Sequence, residues 1–132
     1  AEIAVRDEYV AGDDFGTLNG FLTAKHLLHL PEPPTAIFAA GYLIALGVMD
    51  ALREEHLAIP RDVALITFDD PGFAPHLSPP LTAVEQPIEQ MGEMGVKLLL
   101  RRLRDPASEL RHILLEPRLI IRESVAPPSA LR

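Results

Sequence analysis

The sequence contains no cysteine and no tryptophan, and aromatic residues make up only 5% of it. Without cysteine, disulfide bonds, catalytic thiolates and cysteine-bound zinc are excluded. No apolar run approaches the roughly 18 residues that a membrane-spanning helix requires, so we expect no membrane partner. Glycine-rich phosphate loops, a GxSxG nucleophile motif and an HExxH zinc motif are also missing from the sequence. These absences disfavour the common enzyme classes and indicate no metal and no cofactor.

Positive charge is scarce as well. The chain has 12 lysine and arginine residues against 19 aspartate and glutamate residues, and its net charge is -7. A domain that binds nucleic-acid phosphates by itself normally carries a basic face. Arg101, Arg102 and Arg104 do cluster, but they fall at the C-terminal end of a predicted helix, where cations suit the helix dipole. We therefore do not expect this chain to bind DNA by itself.

The hydrophobic residues that are present form a regular pattern. They make up 48% of the 132 residues, which is typical of a folded domain with a real core. Short apolar runs alternate with segments of helical periodicity, which predicts βαβ units and an α/β fold, a mostly parallel sheet with helices on both faces. The predicted strands are 8–11, 35–40, 62–68, 81–84 and a closing hairpin of 112–115 with 119–122, and the predicted helices are 17–30, 42–55 and 87–104. We expect the proline-rich residues 126–132 to be a loose tail.

In open parallel sheets, ligands bind beyond the C-terminal ends of the strands. Three segments follow predicted strand ends in this sequence, namely 13–16, 41–42 and 69–73. Asp69 and Asp70 within the last segment are also ordinary turn residues. An acidic pair after a strand can bind magnesium as well, but that site would need further oxygen ligands and a phosphate-binding glycine loop, which the sequence does not show. His26 and His29 lie three positions apart on one predicted helix, but zinc would need further ligands and the HExxH spacing is absent, so a solvated helix face is the simpler interpretation.

Taken together, three segments resemble the effector-binding core of LacI/GalR-type transcription regulators: 34–70 (PTAIFAAGYLIALGVMDALREEHLAIPRDVALITFDD), 77–103 (LSPPLTAVEQPIEQMGEMGVKLLLRRL) and 118–128 (RLIIRESVAPP). The resemblance implies a periplasmic-binding-protein-like core of two α/β subdomains with an effector in the cleft between them. Residues 1–125 would be the C-terminal subdomain of a longer, cytoplasmic protein that is not an enzyme. Operator DNA would then be contacted only by an N-terminal headpiece outside this sequence.

The resemblance also implies a ligand site. Phe15 matches the aromatic residue that stacks on the ligand in this family, and Asp69 matches the acidic residue that hydrogen-bonds sugar hydroxyls. Gly41 and Tyr42 stand where the family usually has Asn-Asp, so one polar side chain of the usual cleft is missing. Tyr42 offers an aromatic face and a hydroxyl in its place. The implied effector is a sugar, or a related polyol or nucleoside.

A two-fold interface is the next implication of the resemblance. The helix 42–55 and the loop 72–81 would form part of a homodimer contact, with Leu46, Met49 and Phe73 burying apolar surface there. The effector would act allosterically, because it binds one arrangement of the two subdomains better than the other.

Other interpretations remain open at this stage. Phe15 precedes a helix and is suited to a hydrophobic staple at its N-terminus. The same fold serves extracytoplasmic sugar-binding proteins of transporters, although Glu2, Arg6 and Asp7 make the first residues unlike a signal peptide. A third hypothesis is an enzyme that uses the Asp69–Asp70 pair.

Overall fold

The computed structural model describes residues 6–127, which form an α/β domain. Three helices alternate with the strands of a four-stranded sheet in the order β1-β2-β3-β4. β1 pairs with β2 and β2 with β3 in parallel, and β4 pairs with β3 antiparallel. The elements are α1 (Thr17–Leu28), β1 (Ala36–Ala39), α2 (Tyr42–Glu54), β2 (Ala64–Phe68), β3 (Thr82–Glu85), α3 (Ile88–Arg104) and β4 (Arg118–Ile120), with 3-10 turns at Asp7–Tyr9 and Ala74–His76. The predicted α/β class with a mostly parallel sheet is confirmed.

The core lies where α1 and α2 pack on each other and α2 covers the sheet. Small and aliphatic side chains of α2 are almost fully buried against Leu65 of β2. Gly20 of α1 faces Gly47 of α2 at their crossing, where an added Cβ on Gly47 would lie 2.0 Å from the Thr17 carbonyl oxygen. Because no side chain fits in that space, glycine lets the two helix backbones touch.

The segment after β4 ties the middle of the sheet together. Ser124 is completely buried. Its Oγ donates a hydrogen bond of 2.6 Å to the Leu65 carbonyl oxygen and accepts one of 2.8 Å from the Thr82 backbone N–H. The hydroxyl therefore joins β2 to β3 at a point where an apolar side chain would leave both backbone groups without this partner.

Two predicted strands are wrong. The segment 8–11 begins in a 3-10 turn instead, and 112–115 has no regular secondary structure. Both have the composition of a strand, but neither pairs with another strand within residues 6–127, and a strand is stable only in a sheet. The predicted hairpin of 112–115 with 119–122 is wrong for the same reason, since β4 pairs with β3. Most of the predicted loose tail, from residue 128 onward, lies outside the described residues.

The third helix differs from the other two. None of the residues of α3 is buried, whereas α1 and α2 both contribute buried residues to the core. No helix among the described residues has the length and apolar character needed to cross a membrane.

Candidate functional site

The C-terminal ends of β1 and β2 place the predicted site residues at one edge of the sheet. Ala39 of β1 is paired with Thr67 of β2 in the parallel ladder, so the residues that follow each strand emerge side by side. Gly41 begins α2 as its N-cap, and Asp69 follows β2 directly. Phe15 comes to the same place from the loop before α1, because a Cβ added to Gly41 would lie 3.7 Å from Cδ1 of Phe15.

Phe15 presents its ring to solvent. The side chain is 69% exposed, although it is a large apolar group. Its backbone N–H donates a hydrogen bond of 2.6 Å to Oδ1 of Asp14, which helps to hold the loop before α1. A hydrophobic staple would pair Phe15 with the residue five positions later, but that residue is Gly20, which has no side chain. The ring therefore has no partner in a staple and is free to receive a ligand.

Gly41 has an extended backbone, with φ -175°, that any residue adopts. The only atom near its missing side chain is Cδ1 of Phe15, at an ordinary van der Waals distance. Folding therefore does not require glycine here, in contrast to Gly47. The effect of this glycine is to leave the space beside the Phe15 ring open.

Tyr42 contacts the loop after β2. Its ring meets Phe73 edge to face, with the ring centroids 5.8 Å apart and the planes at 74°. This arrangement is favourable for two aromatic rings. Tyr42 thus links the start of α2 to the loop that follows Asp69 and Asp70.

Asp69 is held in an unusual backbone conformation. Its φ is 69°, in the left-handed region that aspartate tolerates better than most residues do. Its backbone N–H donates to the Val84 carbonyl oxygen at 3.0 Å, and its Oδ1 accepts a hydrogen bond of 2.5 Å from Nε2 of Gln86. One carboxylate oxygen is therefore oriented by Gln86, and Oδ2 has no hydrogen bond recorded to the described residues. Such a carboxylate is suited to accept a hydrogen bond from a ligand hydroxyl.

Asp70 has a different role from Asp69. Both of its oxygens accept hydrogen bonds from the Arg122 guanidinium, at 2.8 and 2.7 Å, and both side chains are mostly buried. The hydrogen bond with Asp70 is the main reason why the pKa of Arg122 is raised above its ordinary value. Arg122 also donates to the Leu81 carbonyl oxygen at 2.7 Å, so the pair fastens the segment after β4 to the sheet. Within residues 6–127, no group of three acidic, histidine or cysteine side chains is arranged to hold a metal ion.

A cavity of about 810 Å³ lies beside β1 rather than above the strand ends. One wall is residues 9–15, the other is the whole of β1, and α1 lines the floor. Among residues 6–127, β1 is paired on its other side only, with β2. The cavity includes Phe15 but neither Gly41 nor Asp69, so it follows the unpaired edge of β1 and does not coincide with the strand-end site that the sequence predicts.

Comparison with known proteins gives the family. The profile of the family described as "Periplasmic binding protein-like domain" matches residues 1–125. The ribose operon repressor of Haemophilus influenzae is 34% identical over 125 residues, which are 95% of this chain and 38% of that protein. The transcriptional repressor PurR of Serratia proteamaculans is 36% identical over 126 residues, which are 96% of this chain and 37% of the repressor. A LacI family transcriptional regulator from Enterococcus faecalis, solved with bound ribose, superposes with a TM-score of 0.79 at 33% identity, over 88% of this chain and 43% of that one.

The chain belongs to the periplasmic binding protein-like domain family, and its structural neighbours include LacI-family regulators. The resemblance inferred from the three sequence segments is thereby confirmed. The proteins matched are repressors and a regulator rather than enzymes, which agrees with the absence of a catalytic motif. This chain spans less than half the length of the relatives that it matches.

Sequence reasoning missed two of the residues that organise the candidate site. Gln86, which orients Asp69, lies 17 positions later in the sequence, and Arg122, which neutralises Asp70, lies 52 positions later. Neither belongs to a spacing motif. The only available signal was that both fall within the segments carrying the family resemblance.

Proposed function

We propose that this chain is the C-terminal subdomain, within residues 1–125, of the effector-binding core of a cytoplasmic transcription regulator. The observation that carries the proposal is the meeting of Phe15, Gly41 and the end of β2 at one edge of the sheet. An exposed aromatic ring beside an open space and an oriented carboxylate are the two contacts that a sugar ring needs, an apolar face and a hydrogen-bond acceptor. Operator DNA would be bound by a headpiece outside this sequence.

The effector class that we propose is a monosaccharide or a small sugar derivative. One relative is named as a ribose operon repressor, and one similar structure contains ribose. Gly41 supplies no polar side chain, and Tyr42 is engaged with Phe73. The effector would therefore be held mainly by Phe15 and Asp69 on this side of the cleft, and by the opposite subdomain on the other. Polyols and nucleosides share the same features and belong in the first ligand screen.

A homodimer is part of the same proposal. Tyr42, Leu43 and Phe73 expose apolar surface at the start of α2 and in the loop after β2, as a two-fold contact would require. Met49, which we expected in this interface, is instead buried within the core of the chain. Its position on the inward face of α2 explains the difference, since Leu43 lies on the outward face.

The test begins with a thermal-shift screen of the full-length regulator against sugars, polyols and nucleosides, because a ligand that binds the folded state raises the unfolding temperature. Phe15→Ala should then weaken binding of the best ligand by about 1–3 kcal/mol in calorimetry, the value of a buried aromatic contact. Leu18→Ala is the matched control, because Leu18 is equally exposed but lies on α1. If Phe15→Ala binds as tightly as the control, the site has been placed wrongly.

A further inference from the structure

The loop before α1 brings Phe15 to the site but has little packing of its own. Residues 10–15 are all exposed, and they form neither helix nor strand. No backbone–backbone hydrogen bond joins residues 11–15 to any other part of residues 6–127. A loop with so few contacts is normally mobile. An aromatic ring that receives a ligand must nevertheless be held in place, so the loop needs another support.

The side-chain amide of Asn19, in the first turn of α1, supplies this support. Its Nδ2 donates a hydrogen bond to the Asp14 backbone carbonyl oxygen, and its Oδ1 accepts one of 3.2 Å from Oγ1 of Thr23. Because Thr23 occupies the acceptor side of the amide, the donor side points to the loop. Oδ1 of Asp14 in turn accepts the Phe15 backbone N–H at 2.6 Å. Two hydrogen bonds in series therefore connect the Asn19 amide to the backbone of Phe15.

The turn at Gly12 fits against the same amide. Its φ is 103°, in the left-handed region that favours glycine. A Cβ added to Gly12 would lie 3.1 Å from Nδ2 of Asn19 and 3.5 Å from Oγ1 of Thr23. The amide thus packs on the backbone of the turn as well as donating to the Asp14 carbonyl. A side chain at position 12 would push the amide away from the loop.

The packing of α1 on α2 gives Asn19 a fixed base. Gly20, the next residue, lies so close to α2 that an added Cβ would be 2.3 Å from the Ile44 carbonyl oxygen. The same α2 begins at Gly41, which lies beside the Phe15 ring. Asn19 therefore holds the loop relative to the two helices that also place Gly41, and so it sets the distance across the open space at the site.

We propose that Asn19 is a positioning residue of the ligand site, which acts on the effector through the Phe15 ring. The proposal rests on the function proposed above, in which Phe15 contacts the effector. Without the donor of Asn19, α1 keeps its packing on α2, but the loop and the ring adopt several arrangements. Because the effector binds only one of these arrangements, its apparent affinity falls by the fraction of molecules that are competent to bind.

The first test is Asn19→Asp in the 132-residue chain. The substitution keeps the shape of the side chain but replaces the Nδ2 donor by an oxygen that the Asp14 carbonyl repels. NMR order parameters of backbone amides 12–15 should be about 0.85 in the unsubstituted chain, as in rigid backbone, and below about 0.6 in the variant. The unfolding temperature should change by no more than about 2 °C, since a negative charge suits the first turn of a helix.

Two further variants complete this test. Gln90→Glu is the matched control, because Gln90 is the third residue of α3 as Asn19 is of α1, but its side chain is exposed. It should leave the order parameters of residues 12–15 unchanged. Thr23→Val removes the hydroxyl that orients the amide and should lower them less than Asn19→Asp does. Unchanged order parameters in Asn19→Asp overturn the proposal, and so does a fall in unfolding temperature of more than about 5 °C, which indicates a role in global stability instead.

Ribose, which is bound in one of the similar structures, is the probe for the effect on affinity. In the full-length regulator, Asn19→Asp should weaken ribose binding roughly three- to tenfold in calorimetry, the range that one hydrogen bond can supply. In the Phe15→Ala background it should have no further effect, because the ring through which Asn19 acts is gone. Additive effects of the two substitutions would contradict the proposal. If the unsubstituted regulator does not bind ribose, the proposed effector is wrong, and the order parameters alone decide the role of Asn19.

Discussion

The α1–α2 layer and the segment between β3 and β4, residues 86–117, which we call the arm, use the same sequence pattern with opposite outcomes. Both contain amphipathic helices, and both place two glycines on the apolar side of a helix. In the layer, Gly20 and Gly47 meet, and the surrounding aliphatic side chains are buried. In the arm, Gly92 and Gly95 face open space. The comparison shows that the sequence identifies the apolar side of a helix, but not which part of the protein packs against it.

The strongest test of this contrast adds one methyl group to a glycine of each region. Gly47→Ala would bring its Cβ to 2.0 Å from the Thr17 carbonyl oxygen, so the two helix backbones must separate. We expect the free energy of unfolding to fall by about 3 kcal/mol, the upper range for overpacking. Gly92→Ala should leave it unchanged or raise it by up to about 1 kcal/mol, because alanine favours the helix. Urea unfolding of the 132-residue chain measures both, and equal effects would contradict the contrast between the two regions.

The second prediction compares two arginines, Arg122, which pairs with Asp70, and Arg118, which pairs with Glu85. Arg122→Ala removes three hydrogen bonds and leaves the mostly buried Asp70 carboxylate without its charge partner. We expect a loss of about 2–3 kcal/mol in the free energy of unfolding. Arg118→Ala is the control, with an expected loss below about 0.5 kcal/mol, because the Arg118 side chain is 77% exposed. Similar losses for the two variants would show that burial does not distinguish these pairs.

The third and smallest effect concerns pH. The hydrogen bond from Lys25 is the main cause that lowers the pKa of Glu55, and it joins α1 to α2. Because the folded pKa is below the unfolded one, the stabilisation is present at neutral pH and is lost as the pH falls below about 4. In Lys25→Met, the unfolding temperature should therefore fall less steeply as the pH is lowered.

Lys97→Met is the matched control for this pH effect. Lys97 lowers the pKa of Glu93 in the same way, but both residues lie on α3, four positions apart. Their ion pair stabilises a helix that contributes nothing to the core, so global unfolding should keep its pH dependence. The check is thermal unfolding between pH 3 and pH 7. If the unfolding temperature of Lys25→Met depends on pH as that of the unsubstituted chain does, the link between α1 and α2 contributes nothing to stability.

Much of the fold could be predicted because its elements carry local signals. The strands β1 and β2 are continuous apolar runs, and the three helices have clear periodicity, so their positions agree with prediction to within a few residues. Gly41 and Asp69 followed from the general position of ligands at parallel strand ends. Phe15 rested on the family resemblance, because the strand 8–11 that it was expected to follow is not formed. Gln86 could not be found in this way, since its role depends on the backbone conformation that points Asp69 toward it.

The sequence by itself determined the class of the fold, the positions of its three helices to within a few residues and the strand ends that Gly41 and Asp69 follow. These follow from hydrophobic periodicity and the order of strands and helices, which are properties of neighbouring residues. Only the tertiary structure decided that β4 pairs with β3, that Asp70 is neutralised by Arg122 and that 8–11 and 112–115 are not strands. Each of these depends on a partner distant in the sequence, since a strand or a buried charge is stable only when that partner is in place.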